Sequence, residues 1–164
     1  MQITNQFHKM DRHNYFVNLT WLGNKGVGTE SYSSYGRDFS YEVSGKQKII
    51  ASADTIFRGN GDLYNPEEMF LVSISSCHML WYLHLCADNA IVVEKYEDIP
   101  KGNLILGKGI NGYFDNVKLS PKIWIKDVNK KALAVSLHTK AHEKCFIANS
   151  VKSPIEVYPT ILTK

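Results

Sequence analysis

Three cysteines, Cys77, Cys86 and Cys145, carry the most reactive side chains in this 164-residue sequence. A thiol becomes a nucleophile only as its thiolate, so the useful question is which thiols can meet each other and a cation. Cys77 lies in Ser75-Ser76-Cys77-His78, inside an apolar stretch with helical character. Cys86 follows nine residues later, about 900° of helical rotation and roughly 13 Å along the axis. The two therefore point to opposite faces, too far apart for a disulfide. Flanked by Leu85 and Ala87, Cys86 reads as a core residue. Cys145, in His142-Glu143-Lys144-Cys145, falls near the end of a second helical stretch. If the two helices pack, Cys77 and Cys145 form the one intrachain pair in which one helix faces the other.

A cation beside a thiol lowers its pKa. Arg37, in Tyr35-Gly36-Arg37, and Arg58, in Phe57-Arg58-Gly59, both lie in glycine-flanked segments ahead of the first helix. Glu67 could orient such an arginine, or could simply favour the helix N-terminus by its charge. It precedes Cys77 by ten residues, about 15 Å along one helix. If both act in one site, the carboxylate comes from a second copy of the chain. His138, His142 and Cys145 share one helical face, and with His78 or Cys77 they offer a zinc alternative. The bland reading of these histidines is hydrogen bonding between helices.

The elements that must position these residues follow from pattern. Asn14 to Trp21, Asp38 to Val43 and Lys46 to Ser52 read as strands of a meander, with turns at Gly23–Gly28 and Ser44-Gly45. Asn65-Pro66-Glu67-Glu68 is a strong helix start: Asn65 suits the cap, Pro66 the first position, Glu68 the capping-box site. The helix should reach Asp88-Asn89. Apolar residues cover nearly all its faces, which predicts burial on all sides and favours an intertwined dimer. Strands are expected at Ile91–Ile99, Leu104–Tyr113 and Val117–Val128. Asn129 would cap a helix over Lys130–Ala148, and Pro154–Leu162 closes as a last strand. Gly107-Lys108-Gly109 lacks the phosphate-loop pattern and reads as a strand irregularity. Trp21, Trp81 and Trp124 are expected in the core. The order of elements gives an α+β class in a single domain, 1–164.

Composition excludes several classes. Net charge is +3 and hydrophobic residues make up 44%, with no basic run to bind nucleic acid. Ser, His and Asn interrupt the apolar stretches before a membrane span of roughly 20 residues. Residues 1–11 lack a signal peptide's apolar core, so the expected setting is cytoplasmic. An odd cysteine count does not suit a secreted disulfide scaffold.

These residues resemble the OsmC/Ohr family of peroxide-stress proteins. The resemblance rests on Asn65-Pro66-Glu67-Glu68, on Ser76-Cys77-His78, and on Cys145-Phe146-Ile147-Ala148-Asn149-Ser150. It implies an OsmC-like fold: an N-terminal β-meander, two central buried helices and a second strand group, assembled as an intertwined homodimer with its active sites at the subunit interface. It further implies a thiol peroxidase acting on organic hydroperoxides, without metal or other cofactor, and recharged by an external dithiol. By position Cys77 is similar to the peroxidatic cysteine and Cys145 to the resolving one. Glu67 is similar to the carboxylate that holds the catalytic arginine, which is Arg58 or Arg37. The chain departs from the family pattern at Phe146, where proline is usual, and at His78-Met79-Leu80-Trp81. Alternatives are an OsmC-like stress or ligand-binding protein with little turnover, and a His/Cys zinc protein.

Overall fold

The computed structural model describes residues 12–163. Segment 1–11, read above for the absence of a signal peptide, lies outside the described residues. The chain divides into two compact units, up to Pro66 and from Glu67 onward.

The first unit is an antiparallel meander of β1 (Asn18–Trp21), β2 (Phe39–Glu42) and β3 (Ile49–Ala51). The turn between β2 and β3 uses Gly45 at φ +78°, a conformation that costs glycine little. Trp21 is not in the core: it is 41% exposed, and its indole N–H donates to the Gly36 carbonyl at 2.9 Å. A single 3-10 turn, Thr55–Phe57, follows, with the Asp54 carboxylate accepting from the Ile56 N–H at 2.8 Å.

The second unit opens with α1 (Pro66–Asp88). Strands β4 (Val93–Glu97), β5 (Lys101–Gly107), β6 (Ile110–Leu119) and β7 (Lys122–Ile125) lead to α2 (Lys131–Lys144). Two short strands, β8 (Ile155–Val157) and β9 (Thr160–Leu162), complete it. One sheet has the order β4-β7-β9 and the other β5-β6-β8. β8 lies parallel to β6, and β9 parallel to β7, so the chain's end ties both sheets.

Several expected boundaries shift for local reasons. Gly107-Lys108-Gly109 is the turn of a hairpin rather than an irregularity within one strand: β5 and β6 pair antiparallel across it, with Gly109 at φ +75°. The expected strand 117–128 is broken at Ser120-Pro121, because proline cannot donate to a ladder. Pro159 divides the last strand likewise. The second helix starts after a 3-10 turn whose cap is Asp127, accepting from the Asn129 N–H at 2.9 Å. It stops at Lys144, so Cys145 is its extended C-cap residue rather than part of the helix.

Within one chain α1 buries a stripe rather than all its faces. Ile74, Ser75, His78, Tyr82, Leu85 and Cys86 are buried, the i, i+4 pattern of one helical face. Val72 and Leu80 stay more than half exposed. At 23 residues the helix is long and apolar enough to cross a membrane by length and composition, yet its buried stripe belongs to the protein core. Tyr82, Leu85 and Cys86 pack with Ala134, Leu137 and Ala141 of α2 and with Ile123 and Ile125 of β7. A second cluster joins Ile74 to Val117 and Leu119. Gly102 is where α1 presses on the hairpin: a Cβ there would lie 2.8 Å from Leu71 and Phe114.

Polar contacts fix the same arrangement. Lys130 Nζ donates to the carbonyls of Asn89 and Ala90 at 3.1 and 2.6 Å, a cation at the negative end of α1. Asp98 accepts from Ser75 Oγ at 2.5 Å and from the Ser120 N–H at 2.8 Å, tying α1 to the β6–β7 link. Leu137 is fully enclosed between α1 and β7. Leu137→Ala should therefore cost about 2–5 kcal/mol in urea unfolding, whereas exposed Lys126→Ala should stay within about 0.5 kcal/mol of the parent.

Candidate functional site

The site is built on the seam where α1 meets α2. Cys77 lies on the fourth turn of α1, one residue before the buried stripe member His78, and is half-buried. Cys145 ends α2, where the Cys145 N–H still bonds the His142 carbonyl at 3.2 Å. Ala148 opens a 3-10 turn immediately afterwards, so its N–H turns back onto the Cys145 sulfur at 3.4 Å. Cys145 is completely enclosed, while Cys77 keeps access to solvent. All three cysteines are free thiols.

The Cys145 thiol lies within electrostatic reach of the Cys77 side chain. Burial first, and the neighbouring Cys77 second, push the Cys145 thiol up to about 11, against a smaller downward pull from the Ala148 and Ile147 backbone. At neutral pH Cys145 is therefore a protonated thiol beside Cys77. A buried, protonated thiol is a poor first nucleophile, but it is well placed to attack an oxidised neighbour. Cys86 lies apart in the core beside Tyr82, its thiol pushed up by burial.

An aromatic wall adjoins the thiols. Trp81, one turn beyond Cys77, meets Phe146, the residue after Cys145, edge-on at 5.5 Å between ring centroids. Lys144 Nζ sits 5.4 Å from the Trp81 ring centre. Sequence spacing signalled each of these residues as a neighbour of one thiol, but not the ring contact between them.

The histidines form a separate arrangement on the same seam. His78 Nε2 and His138 Nδ1 share a hydrogen bond at 2.9 Å, and both rings are buried. Tyr82 stacks on His138 at 3.8 Å between centroids. Burial, then the nearby His142, lower the pKa of His78 to about 4. Burial, then His78, lower that of His138 to about 3. Both imidazoles are neutral in the folded protein at pH 7. Among the described residues no group of three or more His, Cys, Asp or Glu could hold a metal ion. The four-ligand zinc site does not assemble, because His78 is turned to His138 and Cys145 to Cys77.

Glu67 belongs to the same helix as Cys77, and the two arginines to the other unit. Glu67 opens α1, far down the helix from Cys77; its Oε2 is shielded and takes no hydrogen bond among the described residues. Arg37 and Arg58 belong to the N-terminal unit. The Arg37 guanidinium lies over the rings of Tyr32 and Tyr35, 4.3 and 4.0 Å from their centres, and donates to both carbonyls. Arg58 is exposed at φ +67°, a left-handed conformation unusual outside glycine. Its N–H bonds the Thr55 carbonyl at 2.9 Å, and Gly59 packs so closely on Ala53 that a Cβ there would clash.

Comparison with known proteins agrees with this architecture. A family model described as OsmC-like protein matches residues 59–159. A solved OsmC-like protein of unknown function from Vibrio cholerae superposes with a TM-score of 0.80 at 29% identity, covering 91% of this chain and 100% of that one. An organic hydroperoxide resistance protein from Elizabethkingia anophelis superposes at 0.65 with 18% identity, over 94% and 100%. The uncharacterized protein YmaD of Bacillus subtilis is 22% identical over 151 residues, 90% of this chain and 93% of that protein.

The histidine pair predicts acid sensitivity. Unfolded imidazoles bind protons below about pH 6.5, while the folded pair resists until about pH 4 or lower. Unfolding then takes up protons, and stability falls as pH drops through that window. Urea unfolding in chelator-treated buffer should lose about 1 kcal/mol per histidine for each pH unit below 6. A His78→Gln/His138→Gln variant should show a flatter dependence; equal slopes would refute the assignment.

Proposed function

The chain belongs to the OsmC-like protein family, and from that premise we propose that it is a cysteine-based peroxidase acting on organic hydroperoxides. The observation that carries the reading is the contact between half-buried Cys77 and fully buried Cys145. A peroxide can reach only the first. Proteins of the same fold described as organic hydroperoxide resistance proteins support the substrate class, as does the Trp81–Phe146 wall beside the thiols.

In this reading the Cys77 thiolate attacks one oxygen of ROOH. The O–O bond breaks, the alcohol ROH leaves after taking a proton, and sulfur is oxidised by two electrons to the sulfenic acid. The Cys145 sulfur then displaces hydroxide as its own proton is lost, giving water and the Cys77–Cys145 disulfide. An external dithiol restores both thiols by exchange, as suits a reducing cytoplasmic setting. No residue of the seam is required to hold a metal or cofactor for these steps.

An arginine would stabilise the thiolate. Arg58 suits that role better than Arg37, because its loop is held by backbone contacts while its guanidinium is exposed. Arg37 already spends its charge and donors on Tyr32 and Tyr35. A left-handed non-glycine residue is also the kind of strain that functional sites retain. Glu67 cannot reach Cys77 of its own helix, so its part in the site calls for a homodimer. The exposed apolar groups Val72, Leu80 and Phe146 are what such a dimer would cover.

Cumene hydroperoxide should be consumed by the protein with dithiothreitol, and Cys77→Ser should fall to the buffer rate. Cys145→Ser should instead accumulate a dimedone-reactive sulfenic acid at Cys77. Turnover by Cys77→Ser equal to the parent would end the peroxidase reading. Light scattering should give twice the chain mass, whereas a stable monomer would remove the shared-site role of Glu67.

A further inference from the structure

His138 of the histidine pair also lines a cleft that neither Cys77 nor Cys145 lines. About 300 Å³ in volume, it lies between α2, strand β8 and Pro159 of the β8–β9 link. His138 and His142 line it together with the Thr139 hydroxyl. The remaining lining, Val135, Ile155, Val157 and Pro159, is apolar.

Of three imidazole nitrogens without a hydrogen bond among the described residues, on His78, His138 and His142, two belong to residues of this lining. His138 is only 3% exposed, yet its Nε2 takes no hydrogen bond. His142 Nδ1 is equally shielded and equally without a partner. Buried polar atoms are nearly always satisfied, and those that are not call for a bound water, an ion or a chemical role. The two residues are four apart on one helix, the spacing that places two imidazoles side by side toward one cation.

We infer that His138 and His142 form a two-imidazole site for a late first-row transition-metal cation such as Zn²⁺. The third histidine supports it from behind. A cation on His138 Nε2 requires the proton on Nδ1, and Nδ1–H then donates to His78 Nε2 across the 2.9 Å contact already present. Such a back-side hydrogen bond fixes the tautomer and ring orientation of a metal-bound histidine. Two protein ligands leave the other coordination positions open to water or a small ligand. The site is thus exchangeable and distinct from a closed structural zinc centre. Its imidazole donors suit Zn²⁺, Ni²⁺ and Cu²⁺ over Mg²⁺ or Ca²⁺.

The test is calorimetric titration of Zn²⁺ into full-length, untagged Cys77→Ser protein, so that the paired thiols cannot chelate. One Zn²⁺ per chain is expected. His142→Ala, at a partly exposed position, should keep the parent's circular dichroism and weaken binding at least about tenfold; His78→Phe should weaken it by about 10- to 100-fold through His138 alone. Absence of binding, or binding unchanged in His142→Ala, overturns the inference and leaves water as the partner of these nitrogens. Zn²⁺ uptake by the parent but not by Cys77→Ser would also overturn it. None of these outcomes depends on the peroxidase reading.

Discussion

Everything chemical in this protein depends on the close approach of α1 to α2. Two consecutive residues of α1 each find a partner from the α2 segment: Cys77 meets Cys145, and His78 meets His138. Consecutive helical residues point about 100° apart, so the two contacts diverge from one seam. One keeps access to solvent through Cys77, and the other is a contact of buried rings under Tyr82. Ala134 and Ala141 supply the small surface that lets the helices approach, and Leu137 fills the space between them and β7.

That approach also divides labour between the two thiols. Burial raises the pKa of Cys145, and the 3-10 turn at Ala148–Ser150 holds its sulfur against the backbone. The same helix end that gives Cys145 an extended conformation lets its sulfur turn inward. Phe146 is then displayed outward, 64% exposed, against the edge of Trp81. A proline in place of Phe146 would alter this wall but not the thiol contact, which depends on the helices.

Much of this was legible from residue patterns. Pro66 and the acidic pair after it mark the start of α1, and the structure begins the helix there. The separation of Cys86 from Cys77 followed from helical rotation alone, and Cys86 is indeed core. The breaks at Pro121 and Pro159 had a local signal that strand-like flanks obscured. The burial of α1 illustrates the opposite limit. A sequence apolar on all faces shows that those faces avoid water, but not which are covered within the chain. Here only the stripe from Ile74 to Cys86 is. The exposed setting of Trp21 has the same cause: an aromatic residue reports apolar area, not the identity of its neighbour.

By itself, then, the sequence determined the two helices, the N-terminal meander, the α+β class and which thiols could never pair, because these follow from local periodicity and chain geometry. The resemblance carried by Asn65-Pro66-Glu67-Glu68, Cys77 and Cys145 supplied the family, and the fold agrees with it. Only the tertiary structure decided that Cys145 lies beyond the helix with its thiol beside Cys77, that His78 turns to His138 rather than to a four-ligand zinc centre, and that three imidazole nitrogens among the described residues are buried without hydrogen bonds. The thiol and histidine pairings join side chains 60 or more residues apart. Such contacts depend on how two helices pack, and packing is a property of matched surfaces that no single segment encodes.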